Sequence, residues 1–432
     1  MSRRSGGVAA DGVPRVVATL EDALRVAFGP GGRGVMLKEG STGMLSVTRS
    51  SREIARATFD GDVPPPWLLP VLSAAEALQK RAGDGGKGLM LGALAVARLD
   101  LSPRIVREVL GTVDHLATLS SPKGKLPPCR IESIVRTFLA TRLTPVVLDT
   151  LLPSVCDWLN QDRDFASKHV QSLCRVEETL GPVSGVCGEG VTVQGRTENV
   201  PKVPMKMKVA VILEGTVPFT DLVGTLIISK CLEEKPMARL IAGGAALVYG
   251  LSPEDERLLS EAEGTEVEVK WVKGGVWMSI PGVRQLVVHA PVASLAREIV
   301  RTLRDALALV RYADDRVVRP GALERCLLRR VIQTRRGKPP PLGRELLLTL
   351  ASNRDEKLAD DVAAAILDLA PTSPEMMTVL GVAVSSIIAR ISNDAEGLEP
   401  VTLRLAVLSG ALSAGACAMT TSAPLPARRL HS

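Results

Sequence analysis

The most constraining feature of this 432-residue chain is a run of strand-like sequence enclosed between two long helical stretches. Over residues 181–290 the apolar residues come in short runs, whereas on both sides they recur every three or four positions. Each helical flank carries an apolar stripe that it must bury against other helices. We therefore predict that the two chain ends fold together, with an α/β domain inserted between them. With 46% apolar residues and about 150 residues per domain, the chain has material for about three domains.

The N-terminal flank reads as helices joined by glycine-rich turns. Apolar residues share one face of a helix over residues 17–28, and Gly29 ends it. A second glycine turn, residues 83–88, opens directly into an apolar helix over residues 89–98. The helical pattern continues over residues 129–178. Two glycine loops are therefore each expected at a helix end.

The middle of the chain reads as buried strands and a few helices. Ser252 is an expected N-cap with Pro253 in the first helical turn, and the glycines after Lys273 predict a hairpin turn. After Pro291 a long helix is expected. We predict that one sheet contains the strands over residues 208–213, 225–229, 245–249 and 285–289.

Composition argues against several functional classes. The net charge of +6 is mild and spread along the chain, and only 3% of residues are aromatic, so we expect no nucleic-acid partner. The seven cysteines are odd in number and contain no C-x-x-C pair, which is typical of reduced thiols in the cytosol. None of the four histidines has a second ligand at metal spacing, so histidine gives no metal site.

The chain ends give no sign of membrane insertion. The basic N-terminus is not followed by an apolar segment, so a secretory signal is not expected and the protein is predicted to be cytoplasmic. Residues 405–427 are long enough to span a bilayer, but serine, glycine, threonine and two prolines interrupt them. We predict a buried helix followed by a tail.

The glycine loops allow two interpretations. Residues 29–34 match the G-x-G-x-x-G dinucleotide fingerprint, and Glu53 lies about twenty residues beyond. That fingerprint needs a strand before it and a helix after it, whereas in this chain the order is reversed. Glycine loops also bring backbone N–H groups close to phosphate, where Asp84 would hold a magnesium ion. The alternative is that both loops are ordinary turns between helices.

Taken in order, six motifs resemble those of group II chaperonin subunits over nearly the whole chain. The family patterns are L-G-P-x-G, T-N-D-G-A-T-I, G-D-G-T-T, an intermediate-domain D-A, V-V-x-G-G-G-A-x-E and E-P-x-x-x-K. In this sequence they stand as Phe28-Gly-Pro-Gly-Gly32, Thr48-Arg-Ser-Ser-Arg-Glu-Ile54, Gly83-Asp-Gly-Gly-Lys87, Leu303-Arg-Asp-Ala306, Val317-Val-Arg-Pro-Gly-Ala-Leu-Glu324 and Glu399-Pro-Val-Thr-Leu-Arg404.

The resemblance implies a multidomain α/β fold of the chaperonin type. A helical equatorial domain would comprise residues 1–120 and 319–432, and a small intermediate domain residues 121–180 and 291–318. Residues 181–290 would form an inserted α/β apical domain. The family's lid protrusion is not expected, because the stretch between Leu213 and Thr225 is too short to contain it.

The resemblance also implies a nucleotide site in the equatorial domain. Asp84 matches the magnesium-binding aspartate, and Asp305 matches the aspartate that orients the attacking water. An i,i+4 ion pair with Arg301 is the alternative for Asp305. The positions that match the phosphate-binding loops are Gly29, Pro30, Gly31, Gly83, Asp84 and Gly85.

Several positions depart from the family pattern. Ser50 replaces the N-D-G aspartate, so one carboxylate of the hydrolytic site is missing. Gly86 and Lys87 replace two threonines, and the lysine either contacts a phosphate or fills the phosphate's place. The ribose-contacting G-G-G-A loop is one residue shorter, with Gly321 as the matching position. These changes predict that ATPase activity is lost and that Mg-ATP binding is at most weak.

A lidless chain with altered nucleotide motifs is similar to the divergent chaperonin-like proteins of the Bardet-Biedl group, particularly the McKusick-Kaufman type. That resemblance implies a non-enzymatic factor that assists assembly of a protein complex, the ciliary BBSome, in the cytoplasm and at the centrosome or ciliary basal body. Its implied partners are client subunits, sister chaperonin-like proteins and the cytosolic chaperonin ring.

Val217 and Phe219 stand where the protrusion would be, and are expected either to bind clients or to pack on their own domain. Two other functions remain open. One is an ATP-driven folding subunit of a cytosolic ring. The other is a nicotinamide-dependent enzyme that uses residues 29–34.

Overall fold

The computed structural model describes residues 15–29, 32–38, 45–59, 63–99, 101–121, 126–212, 223–229, 234–334, 357–369, 373–388 and 397–422. The chain divides into two compact units. Unit 1 comprises Met1–Thr144 and Ala308–Ser432, and unit 2 comprises Pro145–Leu307. The mixed α/β class is confirmed, with helices and several sheets. The finer division into equatorial, intermediate and apical domains remains a prediction.

Helices predominate towards both ends of the chain, and strands predominate in its middle. The helices are α1 (Arg15–Val26), α2 (Ser51–Thr58), α3 (Leu69–Ala82), α4 (Gly86–Ala97), α5 (Pro103–Leu119), α6 (Pro128–Ala140), α7 (Pro145–Leu159), α8 (Arg163–Lys168), α9 (Val170–Leu173), α10 (Glu234–Ala242), α11 (Pro253–Ser260), α12 (Ala293–Tyr312), α13 (Ala322–Thr334), α14 (Lys357–Leu369), α15 (Pro374–Ile388) and α16 (Val401–Ser422). The strands are β1 (Val35–Lys38), β2 (Leu45–Thr48), β3 (Cys174–Glu178), β4 (Ser184–Glu189), β5 (Val191–Gln194), β6 (Arg196–Glu198), β7 (Met205–Ile212), β8 (Thr225–Ser229), β9 (Ala246–Tyr249), β10 (Glu266–Val272), β11 (Gly275–Ser279), β12 (Arg284–Ala290), β13 (Val317–Val318) and β14 (Glu399–Pro400).

Unit 1 is built around two helices from opposite ends of the chain, α4 and α16. Helix α4 is apolar on nearly all sides and almost entirely buried, as a central helix must be. Helix α16 packs against α4, α5 and α3. One core cluster joins apolar side chains of α4 and α5 to those of α13, α14, α15 and α16. Neither chain end therefore buries its apolar surface without the other.

Helix α16 is also the segment whose length and composition resemble a membrane span. The stretch Val401–Thr420 is apolar enough and long enough, but 78% of its most apolar window is buried inside the protein. In unit 1 this apolar surface faces the neighbouring helices. The predicted buried helix is present, while the predicted tail lies outside the described residues.

In its described part, unit 1 also contains two pairs of short strands, which lie next to its loops. β1 and β2 form an antiparallel pair directly after the first glycine loop, as the sequence predicted for the strand after Gly34. β13 pairs with β14, so Val317 lies opposite Pro400. This second pair brings two of the chaperonin-like motifs side by side. The N-terminal segment before Gly29 is the helix α1, so the strand that a dinucleotide-binding enzyme requires is not there.

Unit 2 contains a seven-stranded sheet in the order β5-β11-β10-β7-β8-β9-β6 and a three-stranded sheet in the order β3-β12-β4. Strands β7, β8 and β9 belong to one sheet, as predicted, and they are parallel neighbours in it. The predicted membership of residues 285–289 in the same sheet is wrong, because β12 pairs with β3 and β4 instead. The prediction of helix up to residue 178 is also wrong at its end, where β3 adds a parallel strand to β12.

The local predictions for unit 2 are confirmed. Ser252 caps α11, its hydroxyl accepting a hydrogen bond from the backbone N–H of Asp255 at 3.1 Å. Gly274 has a φ of 81° in the tight turn between β10 and β11, where its missing Cβ makes this conformation accessible. Helix α12 begins two residues after Pro291, as expected.

Candidate functional site

The candidate site is built on the turn between α3 and α4. Gly83 ends α3 with a φ of 70°, and Gly85 precedes α4 with a φ of 90°. A Cβ on Gly85 would also lie 2.6 Å from the side chain of Val407, so glycine is required there for space as well as for conformation. The Gln79 side chain donates a hydrogen bond to the Gly83 carbonyl at 2.6 Å. The turn is therefore held rigidly, with Asp84 at its centre.

Four of the predicted nucleotide-binding residues line one small cavity of unit 1. They are Gly29, Asp84, Gly85 and Lys87. The cavity holds about 40 Å³, and its walls include Glu399 and Arg404 from the other end of the chain. Pro320, in the motif of residues 317–324, also lines it, so the structure brings together both glycine loops and two C-terminal motifs.

Lys87 is buried in this cavity wall, with its side chain directed to backbone carbonyls. Its ammonium donates hydrogen bonds to the carbonyls of Ala27 at 2.8 Å and Arg49 at 3.1 Å. Ala27 directly follows α1 and Arg49 precedes α2, so one side chain joins three segments. Burial, together with the nearby Arg142 cation, lowers the pKa of Lys87 to about 7, while Asp84 opposes the shift.

The Asp84 carboxylate is engaged with a cation of the protein. Arg142 Nη2 lies 3.2 Å from Asp84 Oδ1 and donates to the Gly83 carbonyl at 3.4 Å. The Arg142 guanidinium also stacks on the ring of Phe138, 4.6 Å from its centre. Its side chain is 6% exposed, so this ion pair is largely shielded from water.

A second buried ion network adjoins the cavity. Arg404 Nε donates to Glu324 Oε1 at 2.6 Å and lies 3.6 Å from Glu399 Oε2. Burial raises the pKa of Glu399, although Arg404 and a hydrogen bond from the Gly321 backbone oppose this shift. The predicted ribose-contacting position, Gly321, thus lies beside a carboxylate of the same protein.

These network residues were missed as site residues at the level of sequence. Glu324, Glu399 and Arg404 lie in motifs that carry the chaperonin resemblance, so the sequence held a signal for all three. Arg142 lies within the stretch predicted to be helical, directly after the observed helix α6, and has no motif of its own. Its role depends on the turn of residues 83–85, far earlier in the chain.

The described side chains, in this arrangement, do not fit a magnesium-bound nucleoside triphosphate. The cavity volume is close to the ~30 Å³ of one water molecule, whereas ligand pockets generally reach about 300 Å³ or more. The one carboxylate assigned to magnesium is paired with Arg142. Across the described part of the chain, no group of three or more histidine, cysteine, aspartate or glutamate residues could hold a metal ion. Weak Mg-ATP binding stays a prediction.

The remaining predicted residues lie elsewhere. Asp305 is half-buried on α12 within unit 2, and Arg301, its proposed partner, contacts Glu298 one turn earlier. Ser50 is buried directly before α2, and its backbone N–H donates to Thr48 Oγ1 at 3.0 Å. Pro30, Gly31, Val217 and Phe219 lie outside the described residues.

The site as a whole is an interlocked set of ion pairs and lysine-to-carbonyl hydrogen bonds, a chemistry suited to fixing segments together. Comparison with known proteins adds no assignment: no protein-family model matches this sequence, and no curated protein matches it either.

Proposed function

We propose that this protein is a chaperonin-like assembly factor that binds client subunits and assists assembly of a protein complex with little or no ATP hydrolysis. The ciliary BBSome is the complex implied by the resemblance. Sister chaperonin-like proteins and the cytosolic chaperonin ring are the proposed partners. The proposed location is the cytoplasm, with the centrosome or ciliary basal body as the place of action.

The proposal that ATP is not hydrolysed rests on one observation. At the turn that resembles the chaperonin phosphate loop, Lys87 donates to two backbone carbonyls and Asp84 is paired with Arg142. Hydrolysis in a chaperonin-type site needs a carboxylate for magnesium and another to position water. In this chain the magnesium carboxylate, Asp84, is held by a cation. A further carboxylate of the family's hydrolytic site, the N-D-G aspartate, is replaced by Ser50, whereas Asp305 matches the aspartate that orients the water.

The order of the two units along the chain, with unit 2 inserted into the sequence of unit 1, also supports the proposal. Both chain ends form one helical unit, and the inserted unit carries the sheets. This order agrees with the architecture that the six motifs imply. It leaves the sheet-bearing unit available as the client-binding part of the molecule.

The test measures ATP turnover and partner binding on the same purified chain. We expect turnover at least on the order of a hundredfold below that of an active chaperonin, because a positioned carboxylate is missing. We also expect affinity purification to recover the same partners with ATP present and after removal of magnesium with a chelator and of nucleotide with apyrase.

The alternative is an ATP-driven folding subunit. It is supported by Asp84 and Asp305, which match two aspartates of the chaperonin nucleotide site. It predicts chaperonin-like turnover that Asp305→Ala abolishes, and magnesium-nucleotide binding in calorimetry that Asp84→Ala weakens. It also predicts partners that are lost when nucleotide is removed. Turnover of this kind, or loss of the partners on nucleotide removal, would overturn the non-hydrolysing assignment, whereas weak nucleotide binding without turnover would not.

A further inference from the structure

A second cavity of unit 1, in the cleft between α2 and α3, plays no part in the site described above. It holds about 220 Å³ and shares none of its described lining residues with the cavity around Asp84. Its walls include the apolar side chains of Phe59, Leu72 and Met90. This volume corresponds to about seven water molecules, enough for the apolar part of a small ligand.

The rim of this cavity carries an excess of positive charge. Arg52 and Arg56 follow one another at i,i+4 spacing along α2, and both line the cavity. The carboxylate at the rim, Glu76, is shared by two cations, with Arg52 Nη2 at 3.4 Å and Lys80 Nζ at 3.3 Å from the same oxygen. Arg56 forms no ion pair with any other residue that the structure describes. Its guanidinium is therefore available to an anion.

A hydroxyl at the inner wall adds a polar contact. Ser51 lines the cavity and is buried at the start of α2. Its hydroxyl places one polar group beside the apolar side chains of the wall.

We infer that this cavity is a binding site for a small amphipathic carboxylate. The apolar chain of the ligand lies against Phe59, Leu72 and Met90, and its carboxylate is bound at the rim by Arg56. The charge of the ligand follows from Arg56, because its exposed guanidinium attracts a carboxylate and repels a cation. The inference is independent of the assembly role proposed above.

Isothermal titration of the full-length chain with three probes tests this site. Octanoate combines an apolar chain with a carboxylate, octanol keeps the chain without the charge, and acetate keeps the charge without the chain. We expect octanoate to bind with a Kd of about 1 mM or tighter. Octanol should bind several-fold more weakly, and acetate should show no measurable binding.

Three variants locate the binding. Arg56→Gln removes the rim charge and should weaken octanoate binding by about threefold or more, with octanol binding unchanged. Ala55→Leu fills the cavity from α2 with a good helix former and should abolish binding of both chains. The control is Arg130→Gln, which removes an exposed arginine on α6, outside the cavity, and should bind octanoate like the unchanged protein.

Circular dichroism melting of each variant confirms that it is folded before titration. The inference is wrong if octanoate does not bind, or if it binds equally well to Ala55→Leu. Equal binding of octanol and octanoate, unaffected by Arg56→Gln, would also overturn it, because the site would then select only an apolar chain.

Discussion

Lys87 lies in an unusual environment for a lysine, because its side chain is buried. A neutral lysine amine still has two N–H donors, and it has two carbonyl acceptors in this site, those of Ala27 and Arg49. The hydrogen bonds therefore do not require the positive charge. Burial and the neighbouring Arg142 disfavour that charge, which explains a pKa of about 7.

This pKa predicts a pH-dependent contribution to stability. Below pH 7 the lysine is protonated in both the folded and the unfolded chain. Between about pH 7 and pH 10.5 the folded protein has released the proton while the unfolded chain still holds it, so the free energy of unfolding rises with pH. The slope from this group is at most about 1.4 kcal/mol per pH unit. Urea unfolding at pH 6, 7.5 and 9 measures it.

Lys87→Met isolates this contribution. The variant leaves the carbonyls of Ala27 and Arg49 without their donor, which lowers the free energy of unfolding at pH 9 by about 1–3 kcal/mol. At pH 6 the loss should be smaller, because the substitution also removes a buried charge. Lys38→Met, which changes an exposed lysine on β1, serves as the control. A loss at pH 6 as large as that at pH 9 would refute the assignment.

The sequence predicted the turn of this site but not its ion pairs. Glycine at positions 83 and 85 is a local signal, since each needs a positive φ that other residues rarely adopt. The partners of Asp84 and Glu399 are set by tertiary packing, and no local pattern reports which arginine will meet which carboxylate. The family pattern points to Arg404, whereas Arg142 becomes visible only in the folded chain.

At the scale of the elements, the packing of α4 against α16 depends on glycines at the contact. A Cβ on Gly415 would lie 2.7 Å from Val96 Cβ and 2.9 Å from the Ala93 carbonyl oxygen. Helices that approach this closely have no room for a larger side chain without moving apart. Gly111, in the middle of α5, faces open space instead, with nothing within 4 Å of an added Cβ.

These two glycines form a matched pair for a stability test. Gly415→Ala should lower the free energy of unfolding by about 1–3 kcal/mol, because overpacking outweighs the better helix propensity of alanine. Gly111→Ala gains the same propensity without a clash and should raise the free energy of unfolding by about 0.5–1 kcal/mol. Thermal and urea unfolding measure both. Equal effects of the two substitutions would show that α4 and α16 are not in close contact.

Elements with local signals were predictable, and their neighbours in a sheet were not. The Ser252 cap, the hairpin at Gly274 and the strand runs of β7 to β9 all follow from short patterns. The sequence of β12 is compatible with a strand of either sheet, because an apolar pattern indicates a strand but does not indicate which strand it pairs with. Its pairing with β3 joins segments more than a hundred residues apart. β3 itself lies in a stretch whose sequence pattern predicted helix.

At the scale of the whole molecule, unit 1 has a core cluster made from two distant parts of the chain. Its cluster of buried residues runs from Val96 to Leu116 and from Val318 to Ala416. A domain whose chain is interrupted in this way folds only when both parts are present. The inserted residues 145–307 form a compact unit with their own sheets.

This organisation predicts the behaviour of two shortened chains. Replacing residues 145–307 by a flexible linker of about 20 Gly and Ser residues, which spans roughly 25 Å on average, should leave unit 1 folded. Its circular dichroism should be that of a helical protein with one cooperative thermal transition. Residues 1–144 alone should show no such transition, because α4 then exposes the apolar surface that α15 and α16 cover. Cooperative melting of this fragment at the same temperature would mean that the N-terminal helices fold without the C-terminal ones, and that unit 1 is not one core.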